Sequence, residues 1–116
     1  MHEAGIAESL LEIIIEHAHR QNATPVRANV TCGEFSGINV DALTFAFEAI
    51  AENTVCRDLK LVVELKPVQA RCGQCAKIFK FELGEPKCPD CGSENYELLP
   101  EEPMMLEEIE FQKEEQ

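Results

Sequence analysis

A chain of 116 residues, 45% of them hydrophobic, can bury one modest core and little more. Asp and Glu number 22 against 10 Lys and Arg, and the resulting formal charge of −12 argues against a nucleic-acid-binding role, which needs a basic face. No apolar run is long enough to span a bilayer, and Glu3, Glu8, Glu12 and Glu16 stand where a secretory signal needs a basic start and an unbroken apolar stretch, so a cytoplasmic location is expected.

The first predicted element is an amphipathic helix over residues 4–21. Ile6, Ala7, Leu10, Leu11, Ile13, Ile14, Ile15, His17 and Ala18 fill one arc of roughly 200°, wider than a helix lying on one surface requires. A second helix or a partner protein is expected to cover the excess. His17 is expected to pack inside that arc and His19 to be solvated. After Thr24-Pro25, Val26, Ala28, Val30 and Cys32 alternate with polar residues as in a half-buried strand, and Gly33-Glu34-Phe35-Ser36-Gly37 reads as a turn. Asn39 is placed to cap a helix over about 40–53, with Leu43, Ala46, Phe47 and Ile50 inward and Phe45 at the border of its two faces. Leu59, Leu61, Val63 and Leu65 alternate in the next strand, and a final strand is predicted over 104–111 through Met105, Ile109 and Phe111. Strand, helix, strand implies a parallel crossover, and the last strand is expected to return antiparallel beside the second. The fold class is therefore α+β, a small mixed sheet with two helices, over residues 1–67 and 104–116.

Residues 68–103 are expected to form a separate ribbon inserted between two neighbouring strands. Cys72, Cys75, Cys88 and Cys91 stand there as C-x2-C-x12-C-x2-C, a spacing that turns two pairs of sulfurs toward one point and suits a closed tetrathiolate zinc site. Rubredoxin-type iron and a pair of disulfides are the competing readings of the same cysteines. In the second knuckle Gly92 can take a positive φ, whereas Ala76 occupies the equivalent place in the first. Ile78, Phe79 and Phe81 are expected to cap the metal, and Cys32 and Cys56 to be buried packing residues. Within 68–99, Arg71, Lys77, Lys80 and Lys87 face five acidic residues, which removes the usual zinc-ribbon affinity for phosphate. A closed tetrathiolate offers no open coordination position, and no Ser/His/Asp or Cys/His arrangement can be assembled, so an enzyme is not expected.

The chain begins Met1-His2-Glu3. A free α-amine, the His2 backbone nitrogen and the His2 imidazole can chelate one metal through fused rings, and deprotonated amide nitrogens favour square-planar Ni²⁺ or Cu²⁺. That motif alone is common at frayed termini.

Together, Met1-His2-Glu3 opening an amphipathic helix, the Gly33-Glu34-Phe35-Ser36-Gly37 turn, Leu43-Thr44-Phe45-Ala46-Phe47-Glu48, the double C-x2-C ribbon and the closing Met105-Leu106-Glu107-Glu108-Ile109 resemble the HypA/HybF family of hydrogenase maturation nickel metallochaperones. The resemblance runs over essentially the whole chain. It implies Ni(II) as transient cargo, with His2 the key ligand and the Met1 amine and the backbone nitrogens of His2 and Glu3 around it. It implies structural Zn(II) on Cys72, Cys75, Cys88 and Cys91. The partners it implies are the nickel-handling GTPase HypB and the hydrogenase large subunit, and some family members also serve urease maturation.

Overall fold

The computed structural model describes residues 3–113. In chain order the elements are α1 (Glu3–Gln21), β1 (Thr24–Gly33), α2 (Val40–Ala51), β2 (Lys60–Lys66), β3 (Gln69–Cys72), β4 (Ile78–Lys80), β5 (Tyr96–Leu98) and β6 (Met105–Gln112). They form two compact units: Met1–Thr31 with Gly37–Glu64 and Met104–Gln116, and Cys32–Ser36 with Leu65–Pro103.

In the first unit α1 buries a narrow stripe, Ala7, Leu10, Ile14 and Ala18, and the first three share a core with Ala28 and Val30 of β1, Leu43 and Phe47 of α2, and Leu59 and Leu61. α2 covers part of the broad apolar arc of α1, and Ile13 is left 42% exposed. His17, expected to pack, is exposed, because it lies one position beyond the buried stripe. α1 ends with Asn22 in the left-handed region (φ 49°), where the N–H groups of Asn22 and Ala23 donate to His19 and Ala18 carbonyls and so satisfy the last turn. α2 starts as its sequence dictates: Asn39 is the N-cap, and its Oδ1 accepts from Ala42 N at 2.9 Å.

The strand order is β2-β1-β6, so the last strand lies beside the first and not the second, a correction to the sequence expectation. Charge explains the choice. Lys60, Glu64 and Lys66 on β2, and Glu107, Glu108 and Glu110 on β6, suit edge positions, whereas β1 carries the small and buried residues of a central strand. β6 pairs antiparallel with β1, from Thr24 opposite Gln112 to Thr31 opposite Met105. Glu34 N donates to Lys66 O at 2.9 Å, joining the C-terminal ends of β1 and β2 as a parallel pair does. Two irregularities in the β1–β6 register, between Pro25 and Arg27 and between Asn29 and Val30, shift the side-chain phase. Pro25 is buried where Val26 was expected, and Leu106 and Ile109, three residues apart, both reach the core. Glu107 at the second irregularity accepts from Thr31 Oγ1 at 3.1 Å.

The second unit holds a sheet of order β4-β3-β5, antiparallel throughout, and its own small core of Val68, Ala70, Cys72, Phe79, Phe81 and Cys88. Cys32–Ser36 belongs to this unit through a pair of carboxylates. Glu34 Oε1 accepts from Val68 N at 3.1 Å, and Glu101 Oε2 accepts from Phe35 N at 3.2 Å. Gly33 leaves room there for the Glu101 carboxylate, which a Cβ at that position would push aside.

Candidate metal centre

The four spaced cysteines converge. Their sulfurs all lie within 4.8 Å of one another, with Cys72 Sγ 3.4 Å from Cys91 Sγ and Cys75 Sγ 3.6 Å from Cys88 Sγ. Sulfurs set tetrahedrally about 2.3 Å from a zinc ion stand about 3.8 Å apart, so the donor set fits a tetrathiolate metal. All six cysteines are free thiols. Cys32 and Cys56 are buried in the packing, as expected.

The two knuckles repeat one backbone pattern. Cys72 N donates to Lys77 O and Cys88 N to Ser93 O, both at 2.9 Å; Ala76 N returns to Cys72 O at 3.1 Å and Gly92 N to Cys88 O at 2.9 Å. Closing each turn this way requires a positive φ at its last residue, 63° at Ala76 and 73° at Gly92. The first knuckle therefore holds an alanine in a region that disfavours a Cβ. Each knuckle buries its first cysteine, Cys72 or Cys88, and exposes its second, Cys75 or Cys91.

This division carries through to the electrostatics. Backbone N–H groups of Cys75 and Gln74, with N···S distances of 3.4 and 3.3 Å, hold the Cys72 thiol down at about 6. The amide of Cys91 lowers Cys88 in the same way, against the opposing effect of burial. At Cys91 a backbone hydrogen bond from Ser93 pulls downward, but the neighbouring sulfurs, Cys72 foremost, together with burial push the thiol up to about 12. Cys75 is raised likewise by Cys88 and burial despite the Lys77 amide. The first cysteine of each knuckle is thus shifted toward the thiolate and the second toward the thiol, whose proton a metal ion would displace.

Two supports were not foreseen from the sequence. Lys77, just after the first knuckle, reaches Asp90 inside the second at 2.8 Å, and the carboxylate raises the lysine pKa. Tyr96 of β5 packs on Phe79 (ring centroids 6.3 Å, 78°) and Phe81 (5.5 Å, 46°), completing the cap, while Ile78 is 47% exposed. Neither pairing has a local sequence signal, since the partners lie 13 or more residues apart.

Of the expected nickel ligands, Met1 and His2 lie outside the described residues. Glu3 is the first residue of α1, and its Oε2 accepts the backbone N–H of Asn39, the α2 N-cap, at 3.0 Å. Among the described residues the four cysteines form the one cluster of three or more His, Cys, Asp or Glu donors able to hold a metal ion.

An α+β unit together with a tetrathiolate ribbon defines a small two-module metal-binding protein. Comparison with known proteins makes this specific: a family model described as hydrogenase/urease nickel incorporation, metallochaperone, matches residues 1–111. The chain belongs to the HypA family. It is 33% identical over 113 residues to the hydrogenase maturation factor HypA of Aquifex aeolicus (strain VF5), covering 97% of this chain and 98% of the relative. It is 37% identical over 108 residues to that of Campylobacter jejuni, covering 91% and 95%. The solution structure of the Ni metallochaperone HypA from Helicobacter pylori superposes with a TM-score of 0.64 at 31% identity, covering 98% of this chain and 100% of that one. A second HypA solution structure gives 0.69 at 31% identity over 98% of each chain. The family is one of metallochaperones, carriers of metal and not enzymes.

Proposed function

We propose that the chain binds Ni(II) at its N-terminus and delivers it in the cytoplasm for maturation of [NiFe]-hydrogenase, handing it on through the nickel-handling GTPase HypB to the hydrogenase large subunit. Urease maturation is a second destination that the family description includes. The observation that carries this reading is the family match, which begins at residue 1 and so takes in Met1-His2-Glu3. Helix geometry supports it as well. α1 begins at Glu3, and amides in the first turn of a helix have no intrahelical acceptor, so a nitrogen there can serve a metal without breaking a helical bond. In this reading His2 supplies imidazole and backbone nitrogen, Met1 its amine and Glu3 its backbone nitrogen.

Cys72, Cys75, Cys88 and Cys91 would hold Zn(II) in a structural role. The geometric fit of their sulfurs and the closed donor set support that part. Bound zinc supplies the crosslink that a core of this size cannot replace.

The test is a nickel titration of untagged protein beside His2→Ala, with metal analysis of both. His2→Ala is expected to lose specific Ni²⁺ binding while keeping one zinc per chain and its melting temperature. Nickel affinity is expected to fall on acidification, because binding displaces protons from an amine of reference pKa about 7.7–8 and an imidazole near 6.5. Unaltered nickel binding by His2→Ala would sink the proposal.

A further inference from the structure

One face of α2 is not accounted for by the fold. The helix is buried along Leu43, Phe47 and Ala51, and the opposite side carries Phe45 at 75% exposure, flanked by Ala42 and Ala49 one turn either way and bordered by the half-buried Ala46 and by Ile50 at 37%. A phenylalanine held in water on a rigid helix between alanines is the layout of an interface centre, a large anchor with small neighbours that admit close approach. The edge beside it is acidic. Glu48 lies in the last turn of α2 and Glu52 is its C-cap, with no basic residue in that turn. Acidic groups at a helix C-terminus oppose the helix dipole, and neither glutamate forms an ion pair among the described residues. Helix stability therefore does not explain their placement, whereas recognition of a cation would.

We infer that this face of α2, centred on Phe45 and edged by Glu48 and Glu52, is the docking surface for a cationic amphipathic helix of a maturation partner. The inference deepens the metallochaperone reading and rests on it. A partner helix would set apolar side chains around Phe45 and against the alanines, with Lys or Arg on the flank meeting the two carboxylates. A second copy of this chain is a poor occupant, because α2 carries no Lys or Arg to meet the two carboxylates and each molecule has a formal charge of −12.

The experiment measures binding of the full chain, by calorimetry at two salt concentrations, to HypB and to the hydrogenase large-subunit precursor of the same cell. Phe45→Ser should weaken binding about tenfold or more, the cost of losing a central aromatic anchor. Glu48→Lys/Glu52→Lys should weaken it too and abolish its salt sensitivity. Ile13→Ser, on an exposed position of α1, should bind within about twofold of the parent. Nickel titration and thermal melting of the same variants should match wild type, because Phe45 and both glutamates are exposed. Absence of wild-type binding to either protein would overturn the partner reading beneath the inference. Wild-type binding kept in full by both α2 variants would overturn the surface alone. A concentration-dependent dimer dissolved by Phe45→Ser would replace the partner with a second copy and overturn the inference as stated.

Discussion

Ala76 and Gly92 hold equivalent places in the two knuckles with nearly the same backbone, φ 63° and 73°, so they form an internal comparison. A Cβ added at Gly92 meets nothing within 4 Å, which leaves the backbone conformation as the sole cost. Ala76→Gly is therefore expected to stabilise the metal-bound ribbon and Gly92→Ala to destabilise it, each by about 0.5–1 kcal/mol once the greater freedom of glycine in the unfolded chain is allowed for. Chelator-challenge rates and thermal melts would read both; equal and same-signed effects would rule the account out. Gly33 works differently, since its constraint is a neighbouring side chain. Gly33→Ala must displace Glu101 and break its exposed bond to Phe35 N, at a cost of about 0.5–1 kcal/mol, and that cost should largely vanish in a Glu101→Ala background. At this scale the sequence was most legible where chemistry is local. The cysteine spacing and the odd Ala76 could be read directly, because a knuckle closes within a few residues. The Glu101 contact to the 33–35 turn could not, because it spans 66 residues.

The helices and strands were legible from their periods, and the order of the strands was not. Alternation in β2 and β6 shows that each has an apolar face, but it does not say which neighbour each takes; the charge carried by both strands, which favours edges, is the signal that decides it. The arc of α1 misled in a related way. Apolar periodicity gave its width but not which part a neighbour covers, so His17 and Ile13 came out exposed. The strand order alters what a deletion should do. With β1 between β2 and β6, a chain joining residue 67 to residue 104 must cross two strand spacings, about 10 Å, over the end of β1. Replacing 68–103 by a two-residue Asn-Gly turn should give a chain without cooperative unfolding. A flexible linker of about six residues should restore a folded α+β domain, seen as a sigmoidal denaturant transition and dispersed amide resonances. A folded two-residue version would contradict the observed order.

At the level of the whole molecule the two hydrophobic clusters share no residue: one centres on Ile14, Leu43 and Phe47, the other on Val68, Phe79 and Phe81. The second contains Cys72 and Cys88 within its own core, so losing the metal would leave two buried thiols without their crosslink and only a handful of apolar side chains to offset the ordering entropy of residues 65–103. No cysteine of the quartet belongs to the first cluster, whose one buried thiol, Cys56, lies outside the metal site and is raised in pKa by burial. Unfolding of the full chain is therefore expected to be separable. Calorimetry of the metal-loaded protein should show contributions from both units, and a strong chelator, or Cys75→Ala/Cys91→Ala, should remove the contribution of the second. Resonances of Phe79, Phe81 and Tyr96 should collapse to random-coil positions, while those of Ile14, Leu43 and Phe47 keep their dispersion. If both sets collapsed together, the ribbon would be integral to the α+β core, and metal occupancy at the cysteines would control the whole chain, including the N-terminus at which nickel is proposed to bind.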